Sequence, residues 1–154
     1  MKKLLTGSLA AIALAVSVQA AAQVAPEDQI YYRKAGYAFM AWNVGKIKGM
    51  LENESTWNLE QVQAAANSIA ATANSGMGAL FSPGTEKSIG DTKTRVKPEM
   101  FQDAEGVNKV GMAFHKAATE LKAAADAGDK AQITTAFSDL GASCKGCHDN
   151  YRMK

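Results

Sequence analysis

The chain has 154 residues, with 17 Lys+Arg, 15 Asp+Glu, two Cys and three Pro. This length holds one domain, and 47% hydrophobic residues suffice for a core. With 21% charged residues it is no disordered polyelectrolyte, and two Cys cannot build a disulfide-rich scaffold.

The N-terminus has three parts: basic Lys2-Lys3, a mostly apolar run from Leu4 to Val18, and the small residues Ala20-Ala21-Ala22. This is the layout of a secretory signal peptide over residues 1–22, cleaved after Ala20 or Ala22. A membrane anchor fits less well. The run falls short of the ~20 residues of a span, and Ser8, Ser17 and Gln19 interrupt it. Removal of Lys2 and Lys3 leaves 15 basic residues against 15 acidic ones. A near-neutral mature chain, residues 23–154, gives nucleic-acid binding no electrostatic support. It is expected outside the cytoplasm, with no membrane insertion after processing.

Residues 23–154 read as four helices. Pro26, followed by Glu27 and Asp28, starts the first, with acids at the positive end of the dipole. Ile30, Tyr37, Met40, Val44, Ile47 and Leu51 carry its apolar stripe to about Glu52. Asn58 and Gln61 form a capping box for the second helix, and Trp57 can staple onto Val62. Its stripe is Val62, Ala66, Ile69, Ala73, Met77 and Leu80, with Gly76 and Gly78 weakening the last turn. Residues 82–98 are a long polar loop, long enough for a role beyond connection. Pro98 restarts a helix with the stripe Val107, Val110, Phe114, Ala118, Leu121 and Ala125, ended by Ala127-Gly128. Asp129 and Gln132 box the fourth, whose stripe is Ile133, Phe137, Leu140, Cys144, Cys147, His148 and Tyr151. Four helices with mostly short connections pack as an all-α, antiparallel, up-down-up-down bundle.

One motif carries chemistry. Cys144-Lys145-Gly146-Cys147-His148 is C-x-x-C-H, the covalent attachment signature of c-type haem. On a helix, residues three and four apart share a face, so both thiols and the imidazole point one way. Two thiols so placed can reach the two vinyl groups of one haem, and His148 can supply an axial nitrogen to iron. A thioredoxin-like pair belongs at a helix start in a βαβ pattern, whereas this motif lies near a helix end. A zinc site needs about four ligands, and among Cys and His only His115 remains to join. The bundle is therefore expected to enclose one covalently bound haem c.

With these residues, the mature chain resembles cytochrome c′, the class II c-type cytochromes. The resemblance is carried by C-K-G-C-H-D-N-Y-R at residues 144–152, by Pro26-Glu-Asp with Tyr32-Arg33, and by Phe81-Ser-Pro-Gly-Thr-Glu86. It implies a periplasmic protein, often a homodimer, with five-coordinate iron that binds NO and CO and discriminates against O2. Its implied roles are NO handling and electron transfer with an unidentified redox partner.

The sixth iron position separates the functions. An electron carrier wants a permanent strong ligand, and a gas binder wants an open site. The alternative reading is a low-spin carrier with Met40 or His115 as sixth ligand. Met40 reads as core and His115 as exposed. By resemblance, Tyr37 covers the distal haem face and Phe81 closes the same pocket. Arg33 matches the family's propionate-pairing Arg. Arg152, four residues after His148, is expected near the proximal imidazole on one helix face, where it would weaken the imidazole's push on iron. No distal acid–base His supports a haem enzyme such as an NO reductase or peroxidase, so the protein is not read as an enzyme.

Overall fold

The structure, a computed structural model, describes residues 24–154. The leader and its cleavage positions lie outside the described residues. Four α-helices make the body: α1 Pro26–Glu52, α2 Leu59–Ala73, α3 Ala104–Ala127 and α4 Lys130–Tyr151. Among the described residues there is no strand beyond isolated bridges. The order is the four-helix bundle expected from the stripes.

The helix starts follow their caps. Asn58 accepts from the Gln61 backbone N–H, and Asp129 accepts from those of Ala131 and Gln132. The Gln132 side-chain amide also donates to the Asp129 carboxylate at 3.0 Å, a side-chain tie rather than the return bond to the backbone N–H of a full capping box. α3 starts later than Pro98 suggests. Pro98–Phe101 is a 3-10 turn, and the α-helix begins after Asp103, which accepts from the Gly106 N–H at 2.9 Å. α2 also ends early. It stops at Ala73, Gly76 turns the chain at φ 82°, and Met77–Leu80 forms a separate 3-10 turn. Glycine is favoured at that positive φ, so Gly76 ends the helical path where the stripe alone continues it.

The dry core occupies one part of the bundle. Met40, Ile47 and Met50 of α1 meet Val62, Ala66 and Ile69 of α2, Ala118, Leu121 and Ala125 of α3, and Ile133 and Leu140 of α4. Other stripe positions, Val107, Val110, Phe114, Cys144 and Cys147, are only half-buried, whereas Ile30, Met77 and Tyr151 are buried outside that cluster. Sequential helices pack along their lengths, whereas α1 and α4 scarcely approach each other and leave a wide seam.

The segment 82–97 folds back as a strap across both ends of the chain. At α1, Ser82 donates to buried Gln29 at 2.8 Å, and Thr92 donates to Glu27 at 3.1 Å. At the end of α4, the Lys97 N–H donates to the Tyr151 carbonyl at 2.9 Å and the Met153 N–H to the Arg95 carbonyl at 2.8 Å. The Lys97 ammonium caps α4 through the carbonyls of Asp149 and Asn150, a cation at the negative end of the helix dipole. The Tyr151 hydroxyl donates to Asp103 at 2.6 Å. Gly106 permits this tie, because a Cβ there would stand 2.2 Å from both the Tyr151 and Asp103 oxygens.

Candidate haem site

Cys144 and Cys147 sit near the end of α4, both free thiols and both half-buried. Cys144 packs against the core. Burial pushes both thiols above their usual pKa, and Cys144 adds to the rise at Cys147. His148 is exposed on the next position. It lines a cleft of about 590 Å³ with Lys97, Asp149, Arg152, Met153 and Lys154.

Arg152 reaches this cleft by a route the helix pattern does not give. α4 ends at Tyr151, and Arg152 is its extended cap at φ −121° and ψ 129°, paired with Val96. It therefore does not share the helical face of His148, although both line the cleft.

Across the wide seam stands Tyr37 of α1. Its ring meets Phe81 edge-on, centroids 6.5 Å apart at 63°. The residue is 40% exposed, yet burial at the phenol pushes its pKa up to about 12, helped by the charges of Cys147 and Cys144 and opposed by Arg33. The thiols and the phenol thus share one electrostatic environment. Tyr37, Phe81, Cys144 and Cys147 are brought together around the seam.

Arg33 of α1 is a buried cation. It is 3% exposed. Its guanidinium donates to the Leu80 carbonyl at 3.1 Å, the Thr85 hydroxyl at 2.7 Å, the Thr85 carbonyl at 2.5 Å and the Thr94 hydroxyl at 2.8 Å. Burial holds its pKa below the ordinary arginine value. Four of the five N–H donors are so committed, which leaves the Nε–H for a propionate. Met40 is 4% exposed inside the core cluster. His115 is exposed, 3.2 Å from the Asn74 side-chain oxygen. The Arg33 acceptors, Thr85 and Thr94, and the Lys97 cap carry no periodic signal, and sequence reading missed them.

The donor set fits a haem. Two half-buried thiols three residues apart and an exposed imidazole beside them end α4, and the rings of Tyr37 and Phe81 lie near the thiols. A four-helix bundle with C-x-x-C-H closing its last helix is a c-type haem protein of the helical-bundle class. The comparisons place it within that class. The family model described as "Cytochrome C'" matches residues 28–152. Cytochrome c′ of Allochromatium vinosum (strain ATCC 17899 / DSM 180 / NBRC 103801 / NCIMB 10441 / D) is 56% identical over 146 residues, covering 95% of this chain and 93% of that one. The crystal structure of cytochrome c′ from Thermochromatium tepidum superposes with a TM-score of 0.82 at 54% identity, covering 86% of this chain and all of that one. A cytochrome c′ with an unusual ligand-controlled dimer dissociation gives 0.82 at 56% identity, covering 85% and 98%. The chain belongs to the cytochrome c′ family, and its cofactor is c-type haem.

Proposed function

We propose that this protein is a periplasmic gas-binding cytochrome c′ in which Cys144 and Cys147 hold the haem by thioethers and His148 is its axial ligand. The haem supplies an iron that takes diatomic ligands and changes oxidation state. The chain's residues decide what reaches it. Tyr37 and Phe81 cover the opposite face with bulk and leave the sixth position open to NO or CO. Arg152 stands on the His148 side, where its charge disfavours imidazolate character. Arg33 offers its remaining N–H to a propionate. The protein has no enzymatic turnover in this reading, and it exchanges electrons with an unidentified redox partner.

The observation that carries the reading is the placement of Tyr37, near enough to Cys144 and Cys147 for their charges to act on its phenol, with Phe81 edge-on against its ring. The low-spin alternative needs Met40 or His115 at iron, but Met40 is core and His115 lies beside Asn74. A related cytochrome c prime from Alcaligenes xylosoxidans, 33% identical with a TM-score of 0.74, has been solved as a ferrous variant with bound NO.

A homodimer completes the reading. Tyr31, Tyr32, Phe39 and Trp42 of α1 are exposed by 61, 53, 50 and 59%. Aromatic surface so clustered on one helix favours covering by a second copy. A dimer is also named for one of the similar structures. The periplasmic assignment rests on the leader pattern and on c-type haem. Among the described residues no helix is long and apolar enough to cross a membrane.

One experiment tests the core of this. The optical spectrum of the ferrous protein should be that of five-coordinate, high-spin iron, and Tyr37→Ala should speed CO association in stopped flow. If the phenol served mainly as a hydrogen-bond donor, dissociation would quicken instead, for a loss of about 1 kcal/mol. A six-coordinate low-spin spectrum would overturn the open site.

A further inference from the structure

We propose that Arg33 is a positioning residue that sets how readily gas passes the Phe81–Tyr37 wall. The inference rests on the reading of that wall as the distal side of the site.

Arg33 lies one helical turn before Tyr37 on α1. Its guanidinium carbon stands 4.7 Å from the centre of the Phe81 ring, on which Tyr37 also bears. The Phe81 ring is therefore held by a cation and by the phenol ring. The same guanidinium holds the backbone around Phe81. It bonds the carbonyl of Leu80 immediately before the ring, and both the hydroxyl and the carbonyl of Thr85 after it. Its last bond, to the Thr94 hydroxyl, closes the far side of the strap. Thr85 is fully buried and donates onward to the Ser82 carbonyl at 2.8 Å, so the turn after Phe81 is internally braced.

The four acceptors around Phe81 and in the strap are neutral, and a propionate at the remaining Nε–H would be the one charged partner. A desolvated cation with neutral acceptors depends on meeting each of them in the right geometry. A planar fork with donors on two terminal nitrogens meets this set, and a lysine ammonium, a point with three donors, does not. The position thus selects arginine for shape, and what the shape fixes is the Phe81 segment. A merely stabilising clasp would set only the melting temperature. A positioning clasp also sets the spacing of the two rings.

The test uses the haem-loaded protein and four variants: Arg33→Lys, Thr94→Val, Tyr37→Ala and the double variant Arg33→Lys/Tyr37→Ala. Thr94→Val removes one acceptor from a half-buried strap position and keeps the measurement available if Arg33→Lys does not fold. CO association should rise about threefold or more in Arg33→Lys and Thr94→Val, the low end of coupling between contacting groups. In the Tyr37→Ala background Arg33→Lys should add nothing, because the second ring is already gone. Amide hydrogen exchange over residues 80–94, which needs no gas, should quicken in both single variants while α1 stays protected. Unchanged association with a lowered melting temperature would overturn the proposal and leave Arg33 a stabilising clasp. So would unchanged exchange over the strap. If Tyr37→Ala speeds CO but the Arg33 and Thr94 variants do not, this inference alone fails. If Tyr37→Ala also leaves CO association unchanged, the reading of the distal wall fails with it.

Discussion

The two parts of the bundle obey different rules. In the closed part Ile47, Val62, Ile69, Leu121 and Ile133 are fully buried, and all four helices contribute. In the open part the same stripes continue through Val107, Val110, Phe114, Cys144 and Cys147, but each is only half-buried, and α1 stands away from α4. The open part is organised by hydrogen bonds instead: the Arg33 fork, the Lys97 cap and the Tyr151–Asp103 tie. Side chains close one part by themselves. The other is shaped to receive a large planar apolar group, and its polar ties hold that shape where packing cannot.

The largest break in this contrast is expected from Cys144→Ser with Cys147→Ser. The double variant should not retain haem through denaturing electrophoresis. It should also lose most cooperative unfolding, because unfilled volume costs on the order of 24 cal/mol per Å³. A double variant that melts sharply without haem would mean that the closed part suffices for the fold. Next comes a matched pair of truncations in the haem-loaded protein. Leu121→Ala in the closed part should cost about 2–5 kcal/mol in denaturant unfolding. Val110→Ala in the open part should cost about 1 kcal/mol or less if its half-burial persists, since its methyl groups are only partly removed from water. Equal costs would show that haem makes the open part as dry as the closed one.

Gly106→Ala probes the ties. The new Cβ collides with the Tyr151 hydroxyl and the Asp103 carboxylate, so this overpacking should cost about 1–3 kcal/mol, although the residue is far from the dry core. The smallest effect is expected from Tyr151→Phe, and its pH dependence identifies it. The Tyr151 hydroxyl, then the Gly106 N–H, hold the Asp103 carboxyl below the usual carboxylate range. A pKa lowered by folding stabilises above the unfolded value of about 3.9, and that contribution is lost as pH falls through the folded value. On the alkaline side, the bond to Asp103 first, then burial, raise Tyr151 to about 12, so its share is present below the unfolded value of about 10 and lost through about 12. The difference between wild type and Tyr151→Phe, measured by urea unfolding, should therefore be level across neutral pH and close below about pH 4. A flat difference into acid would separate Tyr151 from Asp103.

The closed part was legible in the sequence because burial repeats with the helix period. Ile47, Ile69, Leu121, Ile133 and Leu140 all fall on the expected stripes and all are core. The capping residues Asn58 and Asp129 were legible because their chemistry is local. The boundary of α2 was not, since Met77 and Leu80 keep the stripe in register beyond a glycine turn. Buried Arg33 was hidden for another reason. Its acceptors lie 47–61 positions away, two of them carbonyls, and no local pattern announces such a partner. In the candidate site, C-x-x-C-H was legible as chemistry. The approach of Tyr37 to Phe81 came from family resemblance, not from spacing.

The pairing of residues 95–97 with 151–153 has a practical consequence for handling the protein. The Met153 N–H is bonded to Arg95, so an extension beyond Lys154 starts one residue after a backbone bond and on the lip of the cleft that His148 lines. An affinity handle joined directly there pulls on the strap. If it is a run of histidines, it also sets further imidazoles beside His148, on the side of the site opposite Tyr37 and Phe81. Preparations made with such a handle need a flexible spacer, or its removal, before their spectra are compared.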